Sequence, residues 1–455
     1  MYPATDDLVV AVAILMAEGI KNLKAILSAP GSRGDVNPMI AIGRRLKTLG
    51  HQVVISVAAP YADLARQAGL EVEAVISDAS FDRAVGNADV WRPVHGPLQI
   101  FRVMIRDFLA KHREVIERHL VPKQTVLVAH PLDLVSRIFR EADERLPLVG
   151  VHLQPVILRT LHEPPRLSPW WFEPRRPSWL IGACYSGIDH LVIDPLLRRH
   201  VNALRIEFGL NQPIRRVMDR WWLSPDTTMA LYPRLFAPAT ENFCPALQYC
   251  GFPLDDVSGD DFSPPSDCPI VFTSGTANRH CGIFFRRAVE ACLGLNRRGV
   301  LLSSYPENFP SDLPASIECH PYLSLGQLLP HCAAIVHHGG IGTTSQAFAA
   351  GIPQVIRPLA FDQFDNAERV ERLGCGAWLK RDRDLTHVID RILDLGGKVS
   401  KTASVMPPGS IVSPSSLSEM QCSLSEMQAS VSGVRGAVVA ADKIHEYCVE
   451  RLGRV

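Results

Sequence analysis

From Leu23 onward the chain alternates short apolar runs with longer stretches whose apolar residues recur at helical spacing. The order reads strand (Lys24 to Ala29), glycine turn, helix (Pro38 to Leu49), strand (Gln52 to Val57), helix (Pro60 to Ala68) and strand (Leu70 to Val75). Further strands are expected at Thr125 to Ala129 and Leu148 to His152. Apolar strands separated by amphipathic helices bury both sheet faces in a parallel sheet with right-handed crossovers. Pro253 to Asp267 (PLDDVSGDDFSPPSD) has no apolar period and reads as an interdomain linker. The alternation then restarts with strand Pro269 to Thr273, a helix to Leu295, and strands Val300 to Ser303 and Ala334 to His337. Helix Gly342 to Ala350, strand Gln354 to Arg357 and helix Gln363 to Leu373 follow. The expected fold is α/β, two doubly wound Rossmann-like domains whose ligands lie in the cleft between the carboxyl ends of their strands.

This divides the chain into an N-terminal extension (1–22), a first domain (23–252), the linker (253–267) and a second domain (268–455). Within the last, Gly396 to Ser432 is rich in serine and carries SLSEMQ at 416–421 and again at 423–428. Its composition reads as a disordered or surface insertion. Ala437 to Leu452 is helical again. The early apolar run Leu8 to Met16 is about half of what spans a bilayer, and Asp6 and Asp7 stand where a signal peptide carries positive charge. Lys plus Arg and Asp plus Glu balance at 47 each, which leaves no electrostatic drive toward a nucleic-acid partner. The eleven cysteines contain no C-x-x-C pair, so a reducing, cytoplasmic compartment is expected and a metal ribbon is not.

The densest chemical signal is Val336-His337-His338-Gly339-Gly340-Ile341-Gly342-Thr343-Thr344, at a strand-to-helix junction. Glycines there let backbone approach a ligand, and the helix start offers free N–H groups and a positive dipole end to a diphosphate. At the end of the next strand, Asp362 and Gln363 supply acceptors and donors suited to vicinal sugar hydroxyls; Asp362 otherwise caps the helix. The N-terminal turn Gly31-Ser32-Arg33-Gly34-Asp35-Val36-Asn37-Pro38 places Asp35 either as a helix cap or as a base, with His130, after strand Thr125 to Ala129, in reserve.

The run from Tyr322 to Asn366, with HHGGIGTT followed by GIPQVIRPLAFDQFDNAERVERLG, resembles the donor-binding box of glycosyltransferase family 1, whose fold is GT-B. The G-x-R-G-D-V-x-P turn belongs to the same pattern in many bacterial members. The resemblance implies that His338 binds the donor diphosphate, with Gly340, Gly342, Thr343 and Thr344 beside it and Thr276 near the phosphates. It implies further that Asp362 and Gln363 hold the sugar, that Tyr322 stacks on the base, and that Asp35 deprotonates the acceptor. Gln346 stands where many plant members carry a glutamate for the ribose hydroxyls. A glutamine makes the weaker claim on a 2′-hydroxyl, so dTDP is expected to bind at least as well as UDP.

Base and phosphate site in opposite domains predict an inverting transfer to a hydroxyl with no cofactor, and the resemblance implies that a hexose, rhamnose or glucose, is moved from a nucleotide sugar. The one D-x-D, Asp382-Arg383-Asp384, sits in a charged loop where capping explains it, and no metal is expected. Trp91 to Phe108 and the aromatic Pro169-Trp170-Trp171-Phe172-Glu173-Pro174 either line a channel for a lipophilic acceptor, touch a membrane surface, or simply pack. Two rival readings keep the fold, a nucleotide-sugar epimerase and a non-catalytic nucleotide-sugar-binding activator; a nearly complete donor box favours transfer.

Overall fold

The computed structural model describes residues 22–93, 95–169, 176–218, 221–238, 246–254, 262–265, 267–397 and 417–452. The extension through residue 21, linker residues 255–261, the aromatic cluster from Trp170 to Pro174 and segment 398–416 lie outside the described residues.

The first sheet has seven parallel strands in the order β3-β2-β1-β4-β5-β6-β7. They are β1 (Lys24–Ala29), β2 (Gln52–Ala58), β3 (Glu71–Ile76), β4 (Thr125–Ala129), β5 (Leu148–His152), β6 (Thr227–Ala230) and β7 (Leu247–Tyr249). The second has six in the order β10-β9-β8-β11-β12-β13, again parallel. Its strands are β8 (Ile270–Thr273), β9 (Gly299–Leu302), β10 (Ile317–His320), β11 (Ala334–His337), β12 (Gln354–Ile356) and β13 (Gly376–Trp378). Strands β6, β7, β10 and β13 have no long apolar run. In β6 the neighbouring strands bury Thr227 and Thr228, so pairing and not hydrophobic pattern makes the strand.

Three sequence expectations need correction. The first helix begins at Arg33, five residues before Pro38, and runs to Thr48. Asp35 Oδ2 accepts hydrogen bonds from the Ser32 backbone N–H (2.7 Å) and hydroxyl (3.1 Å), which ties down the first turn. Pro38 is tolerated because the carbonyl it leaves unbonded is that of Gly34, which is exposed to water.

Within the segment read as a low-complexity insertion, Leu417–Val431 is a helix. The two SLSEMQ copies are offset by seven residues, so Met420, Leu424, Met427 and Val431 fall at spacings of four and three and share one face. All four are buried in the second domain's core, and Gln428 donates to the Ala349 carbonyl at 3.2 Å, bracing helix Ile341–Ala350. Ser425 and Ser430 meet solvent.

The last helix, Gly436–Leu452, belongs to the first domain and not the second. Its Ala437, Ala440, Ala441, Ile444 and Cys448 join Val36, Met39 and Ile40 in one core. The small alanines let it approach helix Arg33–Thr48 closely, and Arg45 pairs with Asp442 at 2.7 Å. The chain therefore crosses between domains twice, and the passages touch: the Gly436 N–H donates to the Phe252 carbonyl at 3.0 Å.

Candidate active site

Strand order reverses between β1 and β4 in the first sheet and between β8 and β11 in the second. These switch points leave crevices at the carboxyl ends of the strands, where loops diverge. The first turn of helix Arg33–Thr48, after β1, carries Asp35 and the residue after β4 is His130; the turn after β8 carries Thr276 and the residue after β11 is His338. All four line a single cavity of about 1040 Å³ between the domains, together with Tyr322, Gly340, Gly342, Thr343, Gln346, Asp362 and Gln363.

Asp35 fills the capping role at the helix start and keeps its second oxygen free of it. Its Oδ2 is taken by Ser32, while its Oδ1 lies 3.3 Å from His130 Nε2. His130 Nδ1 accepts the Leu132 backbone N–H at 3.2 Å, so in the neutral ring the proton sits on Nε2, the nitrogen nearer Asp35. With Nδ1 taken and Nε2 beside Oδ1, the His130 ring is placed against the Asp35 carboxylate. Burial works against charge on Asp35, but the contact with His130 and the Ser32 hydrogen bonds outweigh it and hold the carboxyl below its usual range. Gly31 is required here: a Cβ would fall 2.1 Å from Asp35 Oδ2.

Adjacent histidines divide the work across the cleft. His337 is fully buried and structural, its Nδ1 accepting the Gly339 N–H (3.1 Å) and its Nε2 meeting Gln354 Oε1 (2.9 Å). His338 turns the other way into the cavity, and its ring is boxed between Gly275 and Gly340, where a Cβ would come within 2.8 and 2.5 Å of it. Its Nδ1 is buried without a hydrogen-bond partner, and no hydrogen bond among the described residues fixes which ring nitrogen carries the proton. Burial lowers its pKa to about 4, so it is neutral at neutral pH. Thr344 is the exception among the expected donor residues. It is buried, and its hydroxyl donates to the Gly340 carbonyl at 3.1 Å inside the helix's first turn.

Asp362 stands at the N-cap of helix Gln363–Arg372, yet its side chain makes no capping bond. Instead Oδ2 accepts from Asn366 Nδ2 at 2.7 Å, and Asn366 also donates to the Gly339 carbonyl at 2.8 Å, tying the sugar box to the phosphate turn. Burial, with the nearby charge of Asp35 adding to it, raises the Asp362 carboxyl to about 7. Gln363 Oε1 is already committed to the N–H groups of Leu359 (2.8 Å) and Ala360 (3.1 Å), so only its amide is left to a ligand. Phe361, immediately before Asp362, is held at φ 59°, a left-handed conformation that costs a non-glycine residue roughly 1–2 kcal/mol. Its ring meets Trp91 of the first domain edge-on at 6.2 Å, a contact that closes the cleft over the box. Asn366 and Trp91 were both within segments singled out by sequence, but pattern alone assigned them no task.

The first domain supplies most of the apolar wall. Leu98, Phe101 and Met104 from the segment Trp91 to Phe108, with Ile181, Ile188 and Trp222, line the cavity beside Asp35. The D-x-D does not reach it: Arg357 binds Asp382 through two hydrogen bonds (2.6 and 2.8 Å), and Arg381 pairs with Asp384. Among the described residues no group of three or more His, Cys, Asp or Glu is arranged to hold a metal ion.

Comparison with known proteins agrees with this geometry. Residues 25–150 match the glycosyltransferase family 28 N-terminal domain, and residues 303–406 match the erythromycin biosynthesis protein CIII-like C-terminal domain. The chain is 30% identical over 391 residues to O-mycaminosyltylonolide 6-deoxyallosyltransferase of Streptomyces fradiae, covering 78% of this chain and 85% of that one. It is 26% identical over 404 residues to sterol 3-beta-glucosyltransferase of Saccharomyces cerevisiae (strain YJM789), spanning 79% of this chain but only 31% of the yeast protein. The fold matches that of spinosyn rhamnosyltransferase SpnG complexed with thymidine diphosphate, with a TM-score of 0.62 at 16% identity, over 93% of this chain and 99% of that one. Two parallel-sheet domains, a donor box at the second switch point and this relationship together place the chain in the glycosyltransferase family of GT-B fold, enzymes that transfer a sugar from a nucleotide sugar to an acceptor.

Proposed function

We propose that this glycosyltransferase moves a hexose, rhamnose or glucose, from a dTDP- or UDP-linked donor to a hydroxyl of a lipophilic acceptor, with inversion at the anomeric carbon. One observation carries the reading: Asp35, with His130 beside it, shares one largely apolar cavity with Asp362, Gln363 and His338. The acceptor hydroxyl lies against Asp35 Oδ1 and attacks the anomeric carbon, its proton passing to Asp35 as the new C–O bond forms. The bond to the nucleotide diphosphate breaks on the opposite face. Asp35 is ionised at neutral pH and becomes an effective base as bond formation acidifies the hydroxyl. Charge arriving on the leaving diphosphate meets the N–H groups of helix Ile341–Ala350, His338 and the hydroxyls of Thr276 and Thr343. The donor is a substrate, and no resident cofactor or metal enters this scheme.

The thymidine diphosphate bound to the spinosyn enzyme and the sterol in the yeast relative's name support the donor and acceptor classes. The protein works in the cytoplasm, touching the inner face of a membrane. Nine described cysteines are all free thiols, and helix Ser178–Ile188, with the turn after it, exposes Trp179 and Leu191 beside the cavity. The test is a panel of dTDP- and UDP-sugars incubated with the purified protein, scored for hydrolysis and for protection against heat, followed by the anomeric configuration of the glycoside formed. A retained configuration, an epimerised donor, or no effect from any nucleotide sugar overturns the reading.

A further inference from the structure

Charge accounting in the cavity points to a residue that the scheme above leaves idle. Leaving-group charge on a nucleoside diphosphate calls for a cation, yet the second domain, which holds the donor box, contributes no Lys or Arg to the described cavity lining. Its His338 is neutral, with the pKa lowered to about 4 by burial. The lining holds two arginines, both from the first domain. Arg159 is committed: its two terminal nitrogens bind both oxygens of buried Asp189 at 2.6 and 2.7 Å. Arg33 is different. No carboxylate of a described residue lies within ion-pair distance of it, and its guanidinium sits 4.6 Å from the centre of the Tyr322 ring, across the domain boundary.

An aromatic face attracts either a guanidinium or a nucleobase, and one face cannot hold both. A base stacking on that face of Tyr322 displaces Arg33, whose side chain is delivered by the same turn that places Asp35 beside the sugar box. Arg33, Asp35, Tyr322 and Asp362 all line the one cavity. Resting on the reading of the donor as a nucleoside diphosphate sugar, we propose that Arg33 is a donor-binding residue acting across the cleft. Tyr322 holds it until a base takes the ring, and it then pairs with the diphosphate oxygens and stabilises the leaving group. The planar fork suits two phosphate oxygens, and moving it draws the acceptor domain onto the donor.

The experiment compares wild type, Arg33→Gln and Arg33→Lys by calorimetry with dTDP, UDP and their uncharged nucleosides, and by turnover with the accepted sugar donor. Wild type must first bind a nucleoside diphosphate; if it binds none, the nucleotide reading itself fails before any variant is made. In Arg33→Gln the preference for diphosphate over nucleoside falls about tenfold and kcat falls about 10- to 100-fold. Arg33→Lys keeps the charge without the fork and recovers part of both. A preference unchanged in Arg33→Gln overturns the proposal, even if kcat drops, because the residue would then act only by holding Asp35. Equal tightening of nucleoside and diphosphate also overturns it, since Arg33 would merely compete for the ring.

Discussion

Asp362→Asn separates what this carboxylate does for transfer from what it does to stability. The folded protein raises the carboxyl from 3.8 to about 7, with burial the largest cause. A group whose pKa is higher folded than unfolded is a burden at high pH. Below about pH 4 both states are protonated and nothing is lost; between about 4 and 7 stability falls as pH rises; above that the penalty is constant. About three pKa units at about 1.36 kcal/mol each set a ceiling near 4 kcal/mol. Asparagine has nearly the same shape, carries no charge, and its carbonyl can still accept from Asn366. A gain of about 2–4 kcal/mol at pH 8 is therefore expected, or roughly 5–10 °C in the melting of a domain of this size. Transfer should fall at least about 100-fold, because the amide cannot accept from two sugar hydroxyls as a carboxylate does. Melting curves for both proteins at pH 5, 6, 7 and 8 test this. A variant that melts lower at pH 8, or a difference that does not grow with pH, refutes the reasoning.

Asp35→Asn should cut turnover by about 100-fold or more while nucleoside diphosphate affinity, read by calorimetry, stays within about twofold of wild type. His338→Ala should weaken the nucleoside diphosphate by about 1–3 kcal/mol, and Gly340→Ala should act in the same direction by crowding the ring, both measured in the same titration. Matched titrations of dTDP and UDP should find dTDP at least as tight; a tenfold preference for UDP, about 1.4 kcal/mol, would overturn the thymidine assignment in favour of a UDP-linked donor.

The alternation of apolar runs and helices was enough for the two sheets, because central parallel strands such as β1 and β11 are buried on both faces and must be apolar. Edge and short strands escaped, since a residue such as Thr228 is buried by partners that pattern cannot name. The donor turn was legible because Gly275 and Gly340 have a job that only glycine can do beside His338. What sequence could not separate was the double use of one side chain: one oxygen of Asp35 holds the helix and the other faces His130. The helix at 417–431 was legible and missed. Serine content hid a seven-residue repeat that carries Met420, Leu424, Met427 and Val431 along one face. The tandem copy was itself the signal.

The return of the last helix to the first domain sets an order of events during synthesis. A nascent chain that has emerged through the linker already has every strand of the first sheet, but Val36, Met39 and Ile40 still lack the helix whose Ala437, Ala440 and Ile444 cover them. At about 5–20 residues per second the ribosome needs many seconds more to deliver it, and through that interval an apolar furrow faces solvent. The partners Arg45 and Asp442 are 397 positions apart, so closing this contact waits on the whole second domain. Cutting the polypeptide at its linker would therefore yield halves that are complete in neither core: the first missing its cover, the second trailing an orphaned helix.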